Sequence, residues 1–321
     1  MRPGLLTTVQ DHGRHGHQHL GLCPGGAMDP VSLTLANVLV GNAPDDAALE
    51  ITILGPELVF EEDTLVALSG AEFPGGFPRH RPVLIAAGTK LAIGRAQRGA
   101  RGYLAVAGGF ALEPVLGSRA TYLPGRFGGF HGRSLRRGDL LPLRGDVAAL
   151  SKERFLRLKR GKGRTVRWLV APLTLPEHEP VVLHAIEGPH CASFDAASQR
   201  AFFDATWKIA PESNRMGFRL SGPALVRADG GEILSGPTCL GTVQVPASGA
   251  PIALMADHQT TGGYPRIAEI ATADVPRLAQ IAPGGRVRFA RCDLKTAVDL
   301  RRDLKARLAP ALRAIGWEYG G

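Results

Sequence analysis

Apolar residues along this chain fall in short runs separated by glycine, proline and aspartate, not in long stripes. The runs are Leu49–Leu54, Leu58–Phe60, Leu65–Ser69, Val83–Ala86, Tyr103–Ala107, Val166–Ala171, Val181–Ile186, Gly241–Val245 and Pro251–Ala256. Their lengths and turn-residue borders suit strands of a barrel or sandwich. Three segments read as helices instead. Asp29 is placed to cap a helix with Pro30 in its first turn, running through Val31–Leu39 and stopping at Gly41. Phe194–Phe203, with Ser193 ahead of it, is the second. Leu294–Ile315 is the third, long, charged and amphipathic, with the character of a surface or docking helix.

Composition supports the β-rich reading. The 41 glycines and 24 prolines, against 6% aromatics, fit many tight turns, and 44% hydrophobic with 21% charged residues fits a packed globular core. A length of 321 residues accommodates two ordinary domains. A faint echo points the same way: LEITILGPELVF (Leu49–Phe60) and VLHAIEGPHCASF (Val182–Phe194) both leave an apolar strand through Gly-Pro. The boundary falls in the basic run Ser151–Arg167, where Glu153 is the single acid among eight lysines and arginines and a solvated linker is expected. The predicted organisation is therefore an N-terminal β-barrel domain over 1–160, a C-terminal one over 161–292, and a helix over 293–321.

The net charge of +9 would suit anionic substrates, an acidic partner or nucleic acid. Basic residues are not interleaved with aromatics, and no zinc-finger, RNA-recognition or helix-turn-helix signature occurs, which argues against nucleic acid. The cysteines at 23, 191, 239 and 292 form no C-x-x-C pair, as expected of reduced thiols in the cytoplasm. No apolar run approaches the ~20 residues that span a bilayer.

Candidate chemistry gathers in a few segments. In TTVQDHGRHGHQHL (Thr7–Leu20), Gln10, Asp11 and Arg14 project from a glycine-bent loop, and Arg14 offers a planar fork for a carboxylate or phosphate. Histidines 12, 15, 17 and 19 follow a glycine-bent loop, not a helix that would set His15 and His19 on one face, and no cysteine cluster supports them, so no metal is expected there. On the Asp29 helix, Asn37 sits among leucines and valines and would brace a neighbouring loop if buried. Gly108-Gly109 is no G-x-G-x-x-G, and Ser118 lies in no G-x-S-x-G, so the glycines of 99–133 read as tight turns and close backbone approaches. Arg215, in NRMG, reads either as an anion binder or as a surface ion pair. In VQVPASGAPIALMADHQTTGGYP a strand hairpin ends at Asp257, and His258, Gln259, Thr260 and Thr261 follow in a glycine-hinged loop closed by Tyr264. Such a loop can place donors around the oxygen of an amide, ureido or carboxylate group.

Taken in order, TTVQDHGRHG, GGAMD with LANVLVGN, LEITILGP, RGYLAVAGG, LGSRATYLPG, NRMG and VQVPASGAPIALMADHQTTGGYP resemble the family that joins the KipA protein, the C component of prokaryotic 5-oxoprolinase and the carboxyltransferase domain of urea amidolyase. The resemblance extends to about Phe289. It departs at Ser235-Gly236-Pro237, where Ser-Glu-Gly is common, and at GSRAT in place of GSRST. It implies a mainly β fold of two cyclophilin-like β-barrel domains with a few short helices and a C-terminal helix, carrying a polar pocket. It also implies the role of the carboxyltransferase-like C component in an ATP-dependent 5-oxoprolinase. There it would act with a KipI-like B component and an A component to cleave the 5-oxoproline lactam to glutamate. Gln10, Asp11, Arg14, Gln244, Asp257, Gln259, Thr260, Thr261 and Tyr264 then become substrate-binding candidates, with Arg215 beside them. No residue is assigned as general base. ATP would enter through the complex, since the chain has no G-x-x-x-x-G-K-[ST] loop. Two alternatives remain open: a biotin-dependent carboxyltransferase acting on urea or a related amide, and a non-catalytic KipA-like regulator of a kinase.

Overall fold

A computed structural model describes residues 2–74, 77–145, 149–161, 164–229, 231 and 233–318. The fold is mainly β, with five α-helices among the described residues. It divides into two compact units: Met1–Arg14 with Gly25–Leu175 and Arg307–Gly321, and His15–Pro24 with Pro176–Ala306.

The first unit holds strands β1 (Leu6–Gln10), β2 (Ala48–Thr52), β3 (Glu57–Val59), β4 (Thr64–Glu72), β5 (Pro82–Ile85), β6 (Lys90–Ala92) and β7 (Arg98–Val106), with helices α1 (Pro30–Val40) and α2 (Ala149–Arg160). Five strands form one sheet in the order β1-β2-β7-β4-β5, and β3 and β6 pair as a separate ribbon. Every neighbouring pair is antiparallel. Val9, Ile51, Val66, Leu68, Leu104 and Val106 fill the core on one face, and α1 packs on β4 and β7.

Helix α1 begins and ends where its residues predict. The Asp29 carboxylate accepts from Ser32 N at 3.1 Å and Ser32 Oγ at 2.7 Å. Gly41 closes the helix in the left-handed region at φ 84°. Asn37 is fully buried, and its Nδ2 donates to the Asp46 carbonyl at 2.6 Å, so it does brace the loop that follows.

Two expectations change here. Residues 151–160 of the basic run are helix α2, not linker: Ser151, Arg154 and Leu158 are buried on one helical face, and Arg154 donates to the Val38 carbonyl at the end of α1. A buried arginine spending its charge on a helix C-terminus is favourable, and in sequence it is indistinguishable from the solvated ones. Val166–Ala171 is not a strand. It meets its neighbours through isolated contacts, Thr165 bridging Val83 and Val170 N donating to the His80 carbonyl at 2.9 Å, so its apolar run never builds a ladder.

The second unit holds β8 (Val181–Glu187), α3 (Ala196–Asp204), β9 (Trp207–Ile209), β10 (Gly217–Ser221), β11 (Gly236–Pro237), β12 (Thr242–Gln244), β13 (Ile252–Leu254), β14 (Thr261–Gly262), β15 (Arg266–Ile270), α4 (Val275–Ala279) and β16 (Arg286–Arg291). Seven strands close into a barrel in the order β10-β13-β12-β15-β8-β16-β9, while β11 and β14 form a ribbon of their own. Closure leaves the barrel without an edge strand. Inside it, Trp207 is fully buried with Nε1 donating to the Phe202 carbonyl at 3.0 Å, and Phe202 stacks on Phe289 at 4.6 Å.

The expected helix after Ser193 starts later than its apolar residues suggest. Cys191–Ser193 is a 3-10 turn, and Asp195 is the cap of α3, accepting from Ser198 N at 2.6 Å. The Gly-Pro echo holds for strands β2 and β8; beyond it β3 follows one and the 3-10 turn the other. The C-terminal helix α5 (Leu294–Glu318) continues past Ile315 and contains Pro310; among its described residues Ile315 alone is buried. No described helix is long and apolar enough to cross a membrane.

Candidate functional site

In the first unit, β1 delivers Gln10 and Asp11 to a bend that Arg14 completes, and all three are buried. Asp11 is committed internally: Oδ1 accepts from Gly13 N and from Ser118 Oγ, both at 2.7 Å, and Oδ2 accepts from Arg119 N. Its carboxylate therefore fastens the bend to the Ser118–Thr121 turn. Arg14 lies over the Phe127 ring at 4.9 Å and donates from Nη2 to the Ala120 carbonyl, a stacked and hydrogen-bonded seat that lysine could not reproduce. The hydroxyls of Ser118 and Thr121 both point inward, the latter to the Val9 carbonyl at 3.0 Å. The glycine-rich loop closes over this turn, and a Cβ on Gly129 would stand 1.9 Å from Thr121 Oγ1. That is the close approach expected of these glycines.

Gln10 differs from its neighbours. Its Nε2 donates to Thr8 Oγ1 at 3.0 Å and to the Thr121 carbonyl at 3.2 Å, which fixes the amide orientation. Its Oε1 is buried and accepts no hydrogen bond from the described residues.

A second buried network steadies the GGAMD segment. Tyr103 OH donates to Glu50 Oε2 and accepts from Asp29 N, both at 2.7 Å, and Met28 N donates to the same Glu50 oxygen at 2.8 Å. Burial first, then the Glu50 and Asp29 carboxylates, push the Tyr103 hydroxyl far above its ordinary range, so it stays a donor.

In the second unit, Arg215 is not a surface residue. It is buried, and its Nε and Nη2 grip Asp257 Oδ2 and Oδ1 at 2.9 Å each. Asp257 N also donates to the Arg215 carbonyl at 2.8 Å, so main chain and side chain tie the same two residues. This planar, two-point lock fixes the chain where the barrel gives way to the loop.

Beyond the lock, His258 is buried with Nδ1 against the Met255 carbonyl at 2.8 Å. A carbonyl can only accept, so Nδ1 carries the proton and the neutral ring presents Nε2 as an acceptor. Burial holds the imidazole below its ordinary range despite the Met255 bond and Asp257, which keeps it neutral at neutral pH. Gln259 follows, its Nε2 donating to Gln244 Oε1 at 2.9 Å and its carbonyl accepting from Thr238 Oγ1. Gln244 itself is buried, and its Nε2 has no hydrogen-bond partner among the described residues. The Thr260 carbonyl accepts from Thr238 N at 2.9 Å. Thr261 and Tyr264 are exposed.

The structure thus gathers Gln10, Asp11 and Arg14 in one unit, and Arg215, Gln244, Asp257 and Gln259 in the other, with Thr260, Thr261 and Tyr264 on the loop rim. Thr238, which holds the loop from below, was not legible in the sequence: PTCLGT carries no signal that a hydroxyl will cap Gln259. Two clefts open elsewhere. One of about 430 Å³ is bordered by Arg200, Phe203, Arg288 and Arg291, and one of about 410 Å³ by Asp63, Leu65, Phe155 and Leu156. Neither is lined by any predicted site residue. Among the described residues no group of three or more His, Cys, Asp or Glu is arranged to hold a metal ion, and none of the four cysteines forms a disulfide.

Comparison with known proteins places this geometry among relatives. The family model described as carboxyltransferase domain, subdomain A and B, matches residues 20–291. The chain is 41% identical to the C component of 5-oxoprolinase from Escherichia coli (strain K12), over 94% of each protein. It is 31% identical to urea amidolyase of Saccharomyces cerevisiae over 93% of this chain, but over 17% of that much longer enzyme. Among solved structures, the K. lactis urea amidolyase superimposes with a TM-score of 0.83 at 29% identity, covering 97% of this chain and 19% of that one. TTHA0988 superimposes at 0.74 with 36% identity, covering 90% and 54%.

Proposed function

The chain belongs to the carboxyltransferase family of subdomains A and B, and on that premise we propose that it serves as the C component of an ATP-dependent 5-oxoprolinase. The observation that carries this reading is the match to the Escherichia coli protein along nearly its whole length. The fungal amidolyases contain the same region as a small part of a far larger chain.

Opening a lactam builds negative charge on its carbonyl oxygen, and donors fixed beforehand around that oxygen lower the barrier. Gln244 and the Gln259–Thr261 loop are such donors, steadied by the Arg215–Asp257 lock. Within the first unit, Asp11 and Arg14 act as positioning residues, since their polar groups already hold the bend. A KipI-like B component and an A component complete the enzyme. ATP acts through them, because this chain has no glycine-lysine phosphate loop. The complex works in the cytoplasm.

The purified chain alone is expected to release no glutamate from 5-oxoproline, and to do so when combined with the A and B components and ATP. Alanine at Gln259 together with alanine at Thr260 is expected to lower that turnover at least tenfold with folding intact. Undiminished turnover by the chain alone would reject the shared-complex reading, and an inactive full set would reject the substrate. The superposition on K. lactis urea amidolyase favours one second reading, carboxyl transfer from carboxybiotin to an amide. A ureido carbonyl needs the same donors as a lactam, and transfer from free carboxybiotin by the chain tests it.

A further inference from the structure

Gln244 poses a physical problem that the fold does not solve. It ends strand β12, is 1% exposed, and spends its Oε1 on Gln259. Its Nε2 donates to no group among the described residues and has no access to solvent. A buried donor left unpaired is costly, and native proteins rarely keep one without a use.

What covers this amide is Gly262. A Cβ on Gly262 would stand 2.4 Å from Gln244 Nε2 and 3.3 Å from Gln259 Nε2. Any larger residue would force the two apart, so the glycine lets the chain lie directly on the amide while offering it no acceptor side chain. Gly262 belongs to the β11–β14 ribbon, two strands of two residues each that pair with one another and with no barrel strand. Thr238 continues the ribbon's own pairing, its Oγ1 donating to the Gln259 carbonyl and its N to the Thr260 carbonyl, and Arg266 Nη1 ties the ribbon to its surroundings through the Pro237 carbonyl at 2.7 Å. Beside it Leu234 and Tyr264 are exposed, at 92% and 51% accessible. A two-stranded ribbon this short is barely stable alone and opens at small cost.

We propose that the β11–β14 ribbon is a lid, and that lifting it exposes the idle N–H of Gln244 to the carbonyl oxygen of the ligand. This rests on the 5-oxoprolinase reading for the ligand's identity, a small cyclic amide. The ligand oxygen supplies the acceptor that the closed state lacks, so binding repays the unpaired donor and drives the opening. Gln259 fixes the other end of the amide, which aims the N–H. Gln244 is thus a binding residue, and Gly262 sets how tightly the lid shuts.

The test uses the complex reconstituted from this chain and the A and B components. Gln244→Met keeps the size and removes the amide. The expected result is a KM for 5-oxoproline at least tenfold higher, with a melting temperature of the variant chain close to wild type, because deleting the unpaired buried donor offsets the lost Gln259 bond. A structural glutamine gives the opposite split, a lower melting temperature with KM unchanged, and that overturns the inference. Hydrogen exchange reads the lid itself. Saturating 5-oxoproline is expected to speed exchange of the Thr238 amide, because a ribbon this short frays across its bond to the Thr260 carbonyl once it leaves its seat, and unchanged exchange overturns the lid. Absence of 5-oxoproline turnover in the wild-type complex removes the underlying reading. Turnover with an unaltered Gln244→Met KM removes this inference alone.

Discussion

Asp257→Ala is expected to destabilise the barrel unit by about 3–5 kcal/mol, the range for breaking a buried ion pair from one side. The reason lies in what remains. Arg215 is 3% exposed along its side chain, and without Asp257 its guanidinium keeps a charge that neither water nor the opposite carboxylate can balance. The change should appear in urea unfolding as a lower midpoint with the slope preserved. Arg215→Met combined with Asp257→Leu should recover most of the loss, since apolar groups of similar volume leave no charge unpaired. Catalysis should not return with stability. The two-point geometry of the pair, with the Asp257 N to Arg215 carbonyl bond, aims the chain into His258 and Gln259, and apolar packing has no such direction. A single variant within ~1 kcal/mol of wild type would mean the pair is solvated and would undo the argument that it anchors the loop.

How far the sequence shows this can be judged residue by residue. Helix α1 was legible at both ends, because Asp29, Pro30 and Gly41 each act through their own backbone chemistry. Most of the strands with apolar runs were legible too. Strand β16 was not. It reads Arg-Val-Arg-Phe-Ala-Arg, and its buried Val287 and Phe289 alternate with exposed arginines, so that a barrel strand looks like a charged loop. Helix α2 was hidden for a related reason, since one of the residues on its buried face is Arg154. The polar residues of the site were found as types but not as roles. Asp11 and Arg14 stand within a few positions of one another, yet their partners Ser118 and Ala120 lie over a hundred residues on. Arg215 and Asp257 are separated by 42 positions, and no local rule pairs them. The idle amide of Gln244 is the extreme case, because a missing hydrogen bond is a property of the packed state and leaves no mark in the chain.

Acidification should unfold the first unit through one histidine. His80 is 5% exposed, its backbone lies in the left-handed region at φ 55°, and neither ring nitrogen has a hydrogen-bond partner among the described residues. Burial, with Arg79 next in weight, lowers its pKa to about 4, against Glu72, which favours the charged form. The unfolded chain regains an ordinary imidazole near 6.5. Between those two values the unfolded state binds the proton that the native state refuses. Stability from this site is therefore complete above about 6.5, falls by ~1.4 kcal/mol per pH unit as pH drops, and is lost by about 4, a total of ~3 kcal/mol. Below that both states are protonated and the slope ends. His80→Leu removes the titrating group, and although the left-handed backbone costs the variant some stability at every pH, that offset does not depend on protons. Urea unfolding from pH 7 to 4 should show the wild-type curve falling more steeply than the variant's by that slope. His190 and His258, lowered by burial in the other unit, bend both curves alike. Parallel curves would mean that water or another donor reaches His80, and that the ring is not held neutral by its burial.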